Sequence, residues 1–269
     1  MSIYIDQLNR QVTIPAFPER IISLVPSQTE LLFDLGLEER VIAITKFCIH
    51  PNKWFRNKQR IGGTKDFNIE LIHSLQPDLI LANKEENTED GLNILMKNYP
   101  VWISDIKNLD DASSMINEIG IITNTTLKST ELNNAIHRNF RLLSNFISKD
   151  KLTKNRVAYL IWQQPFISVG KDTFISEMLK SCSLHPVFEH KYRYPETSIE
   201  ELKALDIDFL FLSSEPFPFK EKHKFALEEL FPEIEVVLVD GEYFSWYGSR
   251  LKNAPSYFQT LLSQLKNRN

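Results

Sequence analysis

Glycine, cysteine and long apolar runs are all scarce in this sequence. Eight glycines in 269 residues, with no G-x-G-x-x-G and no Walker loop, exclude the usual phosphate-cradling loops. The two cysteines, Cys48 and Cys182, are too few and too far apart for a disulfide framework and favour a reducing compartment. No run approaches the roughly 18 apolar residues of a membrane span. The hydrolase motifs G-x-S-x-G and H-E-x-x-H are also absent, so the sequence gives little sign of an enzyme.

A positive charge excess is missing as well. The net charge is −4, which gives no reason to expect nucleic acid or an anionic membrane as a partner. The first 20 residues lack the basic start and apolar core of a secretory signal, so we expect a cytoplasmic protein if Met1 is the native start. Phenylalanine, in contrast, is abundant with 18 copies, which suits packed cores and stacking surfaces.

One unit of sequence occurs twice. Residues 69–85 read IELIHSLQPDLILANKE, and residues 199–215 read IEELKALDIDFLFLSSE, at an offset of 130 residues from Ile69 to Ile199. The identities pair Ile69, Glu70, Leu75, Asp78 and Glu85 with Ile199, Glu200, Leu205, Asp208 and Glu215. A period this long indicates duplicated lobes, because solenoid repeats run to only about 20–50 residues.

Short apolar strands alternate with helices in both halves of the chain. The patterns predict strands at 20–25, 41–45, 79–82 and 101–104, and again at 156–162, 209–212 and 235–240. Ser27 and Glu30 form a capping-box pattern that predicts a helix start, and residues 87–97 have helical character. Strands separated by helices predict parallel βαβ units.

A long helix separates the two halves. Apolar residues recur at three- and four-residue spacing between 126 and 149 without glycine or proline, and the polar stretch 149–155 ends the pattern. We therefore predict an α/β protein with two similar lobes, each with a parallel sheet, joined by one long rigid helix. The predicted domains are an N-terminal lobe at 1–125, the linking helix at 126–149 and a C-terminal lobe at 150–269.

The predicted ligand site lies beyond the carboxyl ends of the strands, in a cleft between the lobes. The loops at these ends are rich in aromatic residues, whose faces suit a large flat ligand. Each aromatic could instead be a loop anchor that points into a core. The residues predicted to bind ligand are Phe47, Glu85, Trp162, Tyr192, Tyr194, Phe217, Trp246 and Tyr247.

Cys48 and His50 are a candidate metal pair. In an extended segment, side chains two apart point to the same side, so the two could hold a soft or borderline metal. A closed zinc site needs about four protein ligands, and no second cluster completes one, although a capping role to a metal held by a chelator remains open. The alternative is a small buried thiol beside a turn histidine.

The repeated Glu70 and Glu200 each follow a predicted helix cap, Asn68 and Ser198. A carboxylate in the first turn favours the positive end of a helix. The alternative is a symmetric pair of acidic contacts, one on each lobe, for a symmetric basic partner.

The sequence resembles the helical-backbone (class III) substrate-binding proteins of ABC importers. The resemblance runs from IDQLNRQVTIPAFPERIISLVPSQTELLFDLGL through GGTKDFNIELIHSLQPDLIL to DGEYFSWYGSR. Within that class the chain looks most like the cobalamin-binding branch, in which an aromatic occupies the loop matching Phe47 and tryptophans line the cleft. The resemblance implies that Glu70 and Glu200 dock onto arginines of two permease subunits. It also implies a periplasmic location, which differs from the expectation drawn from the missing signal.

We therefore predict a monomeric, non-catalytic protein that captures a corrinoid (cobalamin) or similar metal chelate for an ABC importer and holds no permanent cofactor. The alternative is a cytoplasmic enzyme or sensor that handles a metal–tetrapyrrole or siderophore on the same scaffold.

Overall fold

The computed structural model describes residues 1–149 and 154–266. Most of the polar stretch predicted to follow the long helix, residues 150–153, lies outside the described residues, as do residues 267–269. The chain divides into two compact units. Unit 1 comprises Met1–Ile106, Asp110–Ala135 and Tyr247–Arg250, and unit 2 comprises Lys107–Leu109, Ile136–Trp246 and Leu251–Asn269.

The first half of the chain contains seven strands and six helices within the described residues. The strands are β1 (Ser2–Ile5), β2 (Gln11–Ile14), β3 (Ile21–Ser23), β4 (Val41–Ile44), β5 (Gln59–Arg60), β6 (Leu79–Asn83) and β7 (Val101–Ser104). The helices are α1 (Pro26–Asp34), α2 (Asn52–Asn57), α3 (Ile69–Leu75), α4 (Glu89–Met96), α5 (Leu109–Ile122) and α6 (Thr126–Lys149).

The second half follows the same alternation. Its strands are β8 (Arg156–Trp162), β9 (Phe166–Ser168), β10 (Gly170–Lys171), β11 (His185–Pro186), β12 (Phe188–Tyr192), β13 (Glu196–Thr197), β14 (Phe209–Ser213) and β15 (Glu235–Val239). Its helices are α7 (Phe174–Ser181), α8 (Ile199–Ala204), α9 (Glu221–Leu230), α10 (Glu242–Ser245), a 3-10 turn (Ser249–Lys252) and α11 (Ala254–Lys266).

The sheet of unit 1 is parallel, with strand order β5-β4-β3-β6-β7. Its central strands β3 and β6 are buried along their whole length, as expected for a parallel sheet covered on both faces. A separate antiparallel hairpin, β1-β2, precedes it.

The sheet of unit 2 repeats this order through its parallel strands β8, β14 and β15. The short β11 pairs in parallel with the amino-terminal end of β8 and takes the place that β4 has beside β3. The predicted α/β fold class is confirmed, with one addition. Strands β9 and β13 extend the second sheet with antiparallel pairing, which strand patterns alone do not reveal.

The long helix α6 spans 24 residues with the predicted bounds. The division between the units falls inside it, after Ala135, so its two parts pack with different units. Tyr247–Arg250 also packs with unit 1, although the chain on both sides belongs to unit 2. The predicted three-part domain division stays a prediction. None of the helices in the described residues combines the length and apolar character that crossing a membrane requires.

The start of α1 differs from the sequence prediction. The helix begins at Pro26 and its N-cap is Val25, without a side-chain cap. Ser27 therefore lies inside the first turn, and its buried hydroxyl has no hydrogen-bond partner among the described residues. Proline suits the first helical position because the N–H it lacks would be unpaired there, so the predicted capping box of Ser27 and Glu30 is wrong.

Candidate functional site

Phe47 lies on the loop that follows β4, at the edge where the parallel strands of unit 1 end. We call this edge, and the corresponding edge of unit 2, the carboxyl edge. The Phe47 ring is 51% exposed, and the Lys46 ammonium lies 5.2 Å from its centroid. A Cβ on Gly63 would come within 3.1 Å of the ring, so glycine lets the neighbouring loop approach. Phe47 therefore presents an open aromatic face.

Buried polar side chains connect the loops at the carboxyl edge of unit 1. The amide of Gln28 donates to the Ser104 hydroxyl at 2.6 Å, and the amide of Asn83 donates to the same hydroxyl at 3.0 Å. The amide of Asn87 donates to the Thr64 carbonyl at 2.8 Å. A network of this kind fixes the loops in place, since a buried polar group left unpaired is costly. Sequence analysis did not single out these residues as a network.

Cys48 is buried in this unit and lies between two threonines. Its sulfur is 3.1 Å from the hydroxyl of Thr29 and 3.1 Å from that of Thr45. Burial raises the pKa of the thiol to about 11, which disfavours the thiolate that binds metals. The segment that carries Cys48 and His50 is an irregular loop with a bend at His50, not a strand. These contacts favour the buried-thiol interpretation, and the described residues contain no group of three or more His, Cys, Asp or Glu that could hold a metal.

The segment Tyr247–Arg250 packs onto the carboxyl edge of unit 1. Arg250 forms a two-pronged ion pair with Glu30, with Nε–Oε2 and Nη2–Oε1 distances of 3.0 and 2.7 Å. A Cβ on Gly248 would lie 2.5 Å from the Ser27 carbonyl oxygen. The close approach therefore requires glycine at position 248, beside the first turn of α1.

Trp162 is an exposed aromatic at the carboxyl edge of unit 2. It is the last residue of β8, is 39% exposed, and contacts Phe217 edge to face with 5.8 Å between centroids. Phe217 is half-buried and packs on Phe219 at 4.8 Å. The structure thus brings Trp162 and Phe217 together at the carboxyl edge of unit 2, where the sequence analysis placed their loops. Phe217 also serves as a loop anchor.

Trp246 and Tyr247 are not open stacking faces, contrary to the sequence prediction. They are only 6% and 7% exposed. The Trp246 indole donates to Glu215 Oε1 at 3.0 Å, and the Tyr247 hydroxyl donates to Glu86 Oε1 at 2.8 Å. Buried tryptophan and tyrosine usually find such a partner for their polar end. The two acidic partners follow the equivalent strands β14 and β6, which aromatic composition could not indicate.

Glu215 is the most perturbed acid of this site. Burial raises its pKa to about 7, and the charges of Glu242 and Asp240 act in the same direction. The hydrogen bonds from Ser245 and Trp246 oppose this shift. The carboxyl group therefore titrates near neutral pH.

Tyr192 and Tyr194 lie outside the parallel strands of the main sheet of unit 2, at the end of β12 and between β12 and β13. Tyr192 ends β12, which pairs with β10 in a separate two-stranded sheet. Its hydroxyl donates to Asp172 at 2.7 Å, and this bond holds the pKa of Asp172 below its ordinary value. Tyr194 is half-buried, with the Arg193 guanidinium 5.7 Å from its ring. These contacts do not bear on ligand binding, so the role of both tyrosines as ligand residues stays a prediction.

Glu85, the remaining predicted ligand residue, follows β6 and is half-buried. Its backbone N–H donates to the Asn83 side chain at 2.8 Å. It therefore lies at the carboxyl edge of unit 1, as predicted. The expected cleft between the lobes stays a prediction.

Glu70 and Glu200 occupy the same position in their units. Both are exposed in the first turn of a helix, α3 and α8. The predicted caps are confirmed, because Asn68 accepts from the N–H of Leu71 and Ser198 accepts from that of Glu201. Hydrogen bonds from its own backbone N–H and from Ser198 lower the pKa of Glu200.

Two α/β units of one topology, with exposed aromatic faces where their parallel strands end, define a two-lobed ligand-binding protein. The chain belongs to the periplasmic binding protein family, since the sequence profile of that family matches residues 21–233. Proteins of this family bind substrates and are not enzymes, so the prediction of a non-catalytic binding protein is confirmed.

Individual relatives are similar over most of the chain. The vitamin B12-binding protein of Pectobacterium atrosepticum is 24% identical over 256 residues, covering 93% of this chain and 91% of that one. The ABC transporter substrate-binding lipoprotein YvrC of Bacillus subtilis is 29% identical over 188 residues, covering 65% and 57%. The solved structure of the vitamin B12 binding protein BtuF of Vibrio cholerae has a TM-score of 0.78 at 21% identity, covering 93% and 98%. That likeness shows the shared fold.

Proposed function

We propose that this protein is the substrate-binding component of an ABC importer and captures a corrinoid such as vitamin B12, or a closely similar metal chelate. The observation that carries the proposal is the pair of exposed aromatic side chains, Phe47 and Trp162, at the carboxyl edges of the two units. Exposed aromatic faces are costly in water and offer stacking area to a large flat ligand.

The names of relatives support the ligand class. The Pectobacterium and Vibrio relatives are vitamin B12-binding proteins, and the Bacillus relative is a substrate-binding lipoprotein of an ABC transporter. A chelate of this size carries its own metal, so the protein needs no metal ligands of its own. This agrees with the buried, hydrogen-bonded state of Cys48. We further propose that the protein acts as a monomer on the periplasmic side of the membrane.

Glu70 and Glu200 are the proposed contacts to the importer. Support comes from their exposure and from their equivalent places in the first turns of α3 and α8. Two equivalent carboxylates suit two equivalent basic surfaces. Their short helices are capped by other residues, so neither glutamate is needed to close its helix end.

Titration with cyanocobalamin tests the ligand. We expect saturable heat in calorimetry and saturable quenching of tryptophan emission after correction for absorbance. Phe47→Ala and Trp162→Ala should each weaken binding about tenfold, because a well-placed aromatic contributes roughly 1 kcal/mol or more. Phe225→Ala is the matched control, since Phe225 is 60% exposed on α9, outside the candidate loops.

Three results would change the proposal. If haemin or a ferric hydroxamate binds and cyanocobalamin does not, the binding function stands and the corrinoid assignment is wrong. If Phe47→Ala and Phe225→Ala have the same effect, the carboxyl edge is not the site. If none of these chelates binds, the proposed function fails.

A further inference from the structure

A groove lies in unit 2, away from its carboxyl edge. It encloses about 570 Å³ between α6 and the end of α7, within the range of roughly 300–1,000 Å³ that is usual for small-molecule sites. After α7 the chain enters β11, where His185 pairs with Arg156 at the amino-terminal end of β8. The groove therefore lies toward the opposite edge of the sheet from Trp162.

One face of α6 forms the floor of the groove. Phe140, Ser144, Ile147 and Ser148 line it at three- and four-residue spacing, so they share one side of the helix. Phe140 is half-buried and Ile147 is almost fully buried, which gives an apolar floor. The Ser148 hydroxyl donates back to the Ser144 carbonyl at 2.8 Å.

The rim of the groove is cationic. Arg141 is exposed and carries no ion pair to any residue that the structure describes. Lys180 also lines the groove, but its ammonium is held by Glu177 at 3.0 Å and Glu189 at 2.6 Å. The residues that line the groove, all within the described part of the chain, include no aspartate or glutamate. Arg141 is thus the cation available to a ligand.

We propose that this groove binds an amphipathic organic anion. The apolar body packs on Phe140 and Ile147, and a carboxylate, sulfonate or phosphate group pairs with the Arg141 guanidinium. The planar fork of arginine matches such oxyanions with two parallel hydrogen bonds. Serine hydroxyls beside it, such as that of Ser181, can donate further hydrogen bonds. This site is independent of the proposed corrinoid function.

The test uses 8-anilinonaphthalene-1-sulfonate, an aromatic sulfonate whose fluorescence rises in apolar surroundings. We expect a saturable rise with one strong class of site that dodecanoate displaces and inorganic phosphate does not. Arg141→Gln should weaken this binding about tenfold. Arg138→Gln is the matched control, because Arg138 is exposed on the same helix but does not line the groove.

A groove-filling variant separates this site from the proposed corrinoid site. Ser144→Leu should abolish the probe's strong site while leaving cyanocobalamin titration unchanged, whether or not cyanocobalamin binds. Equal probe affinity in the Arg141 and Arg138 variants overturns the proposal, as does the absence of saturable binding. Displacement by phosphate as effective as that by dodecanoate shows that the apolar floor plays no part and also overturns it.

Discussion

Glu215 shows how a single half-buried group connects two parts of unit 2. Its side chain accepts from Trp246 Nε1 at 3.0 Å and from the hydroxyl of Ser245, so it ties the end of α10 to the loop after β14. The loop that carries Glu215 approaches the backbone of Gly241 closely. A Cβ at position 241 would lie 2.8 Å from Glu215 Cγ. A charge at this position is poorly solvated, which is why the pKa rises.

The raised pKa of Glu215 predicts the pH dependence of stability. Its pKa moves from an ordinary value of 4.5 to about 7 on folding, so between these values the folded state holds more protons than the unfolded state. The free energy of unfolding should therefore fall as pH rises through this window. Glu215→Gln removes the ionisation, and we expect the variant to gain up to about 3 kcal/mol over the native protein between pH 5 and pH 8.

Urea unfolding at pH 5, 6, 7 and 8 measures this gain. Glu229→Gln, at an exposed position of α9, is the matched control, and the gain of Glu215→Gln over it should increase as pH rises. A flat difference between the two variants would show that this carboxyl group is not perturbed.

Asp78 and Asp208 show what could be predicted at the scale of residues. The repeat identified them as equivalent, and both prove to accept two backbone N–H groups. Asp78 accepts from Glu19 and Arg20 at 2.7 and 2.8 Å, and Asp208 accepts from the backbone N–H groups of residues 155 and 156 at 2.8 and 2.9 Å. Their role was not predictable, because it depends on backbone atoms more than 50 positions away. The same limit explains why Trp246 was predicted as an exposed face.

At the scale of elements, strands with strong apolar patterns were predicted well. Strands β7 and β8 have the predicted bounds, and helix α6 has them as well. The antiparallel strands β9 and β13 have only three and two residues. Segments this short show no alternation of apolar and polar residues. The direction in which they pair depends on the path of the chain between them, which the sequence pattern does not give. They could not be read from the sequence.

The contact of α5 with α6 depends on Gly120. A Cβ at this position would lie 2.0 Å from the Ser129 hydroxyl oxygen and 2.5 Å from Ser129 Cβ. In an open helix Gly→Ala stabilises by roughly 0.5–1 kcal/mol. Here steric overlap should outweigh that gain, and we expect Gly120→Ala to destabilise unit 1 by about 1–3 kcal/mol. Chemical denaturation measures the change.

The double variant Gly120→Ala/Ser129→Gly checks the cause. It moves the small residue to the other helix, so it should be clearly less destabilised than the sum of the two single variants. Additive effects would mean that the helices do not depend on this contact.

The whole molecule consists of two units with the same order of parallel strands. The sequence repeat identifies some of the residues proposed to carry its function but not others. Glu70 and Glu200 stand out because both copies keep them exposed in equivalent places. Phe47 and Trp162 are distinguished only by the exposure of their side chains in the structure. In the sequence, loop aromatics that anchor a core look the same. Equivalent pairs can therefore be found from the repeat, whereas the structure is needed to tell exposed loop aromatics, which are the proposed ligand contacts, from core anchors.

The equivalent glutamates give the last prediction. Glu70→Lys/Glu200→Lys should leave folding and cyanocobalamin affinity unchanged, because both side chains are exposed and Asn68 and Ser198 still cap the helices. The variant should no longer stimulate ATP hydrolysis by the cognate importer in liposomes, since reversed charges repel a basic docking surface. Glu89→Lys/Glu229→Lys is the matched control, with the same change in net charge at two other exposed positions. If both double variants lose stimulation equally, the effect is one of overall charge. If neither loses it, Glu70 and Glu200 act only at their own helix ends.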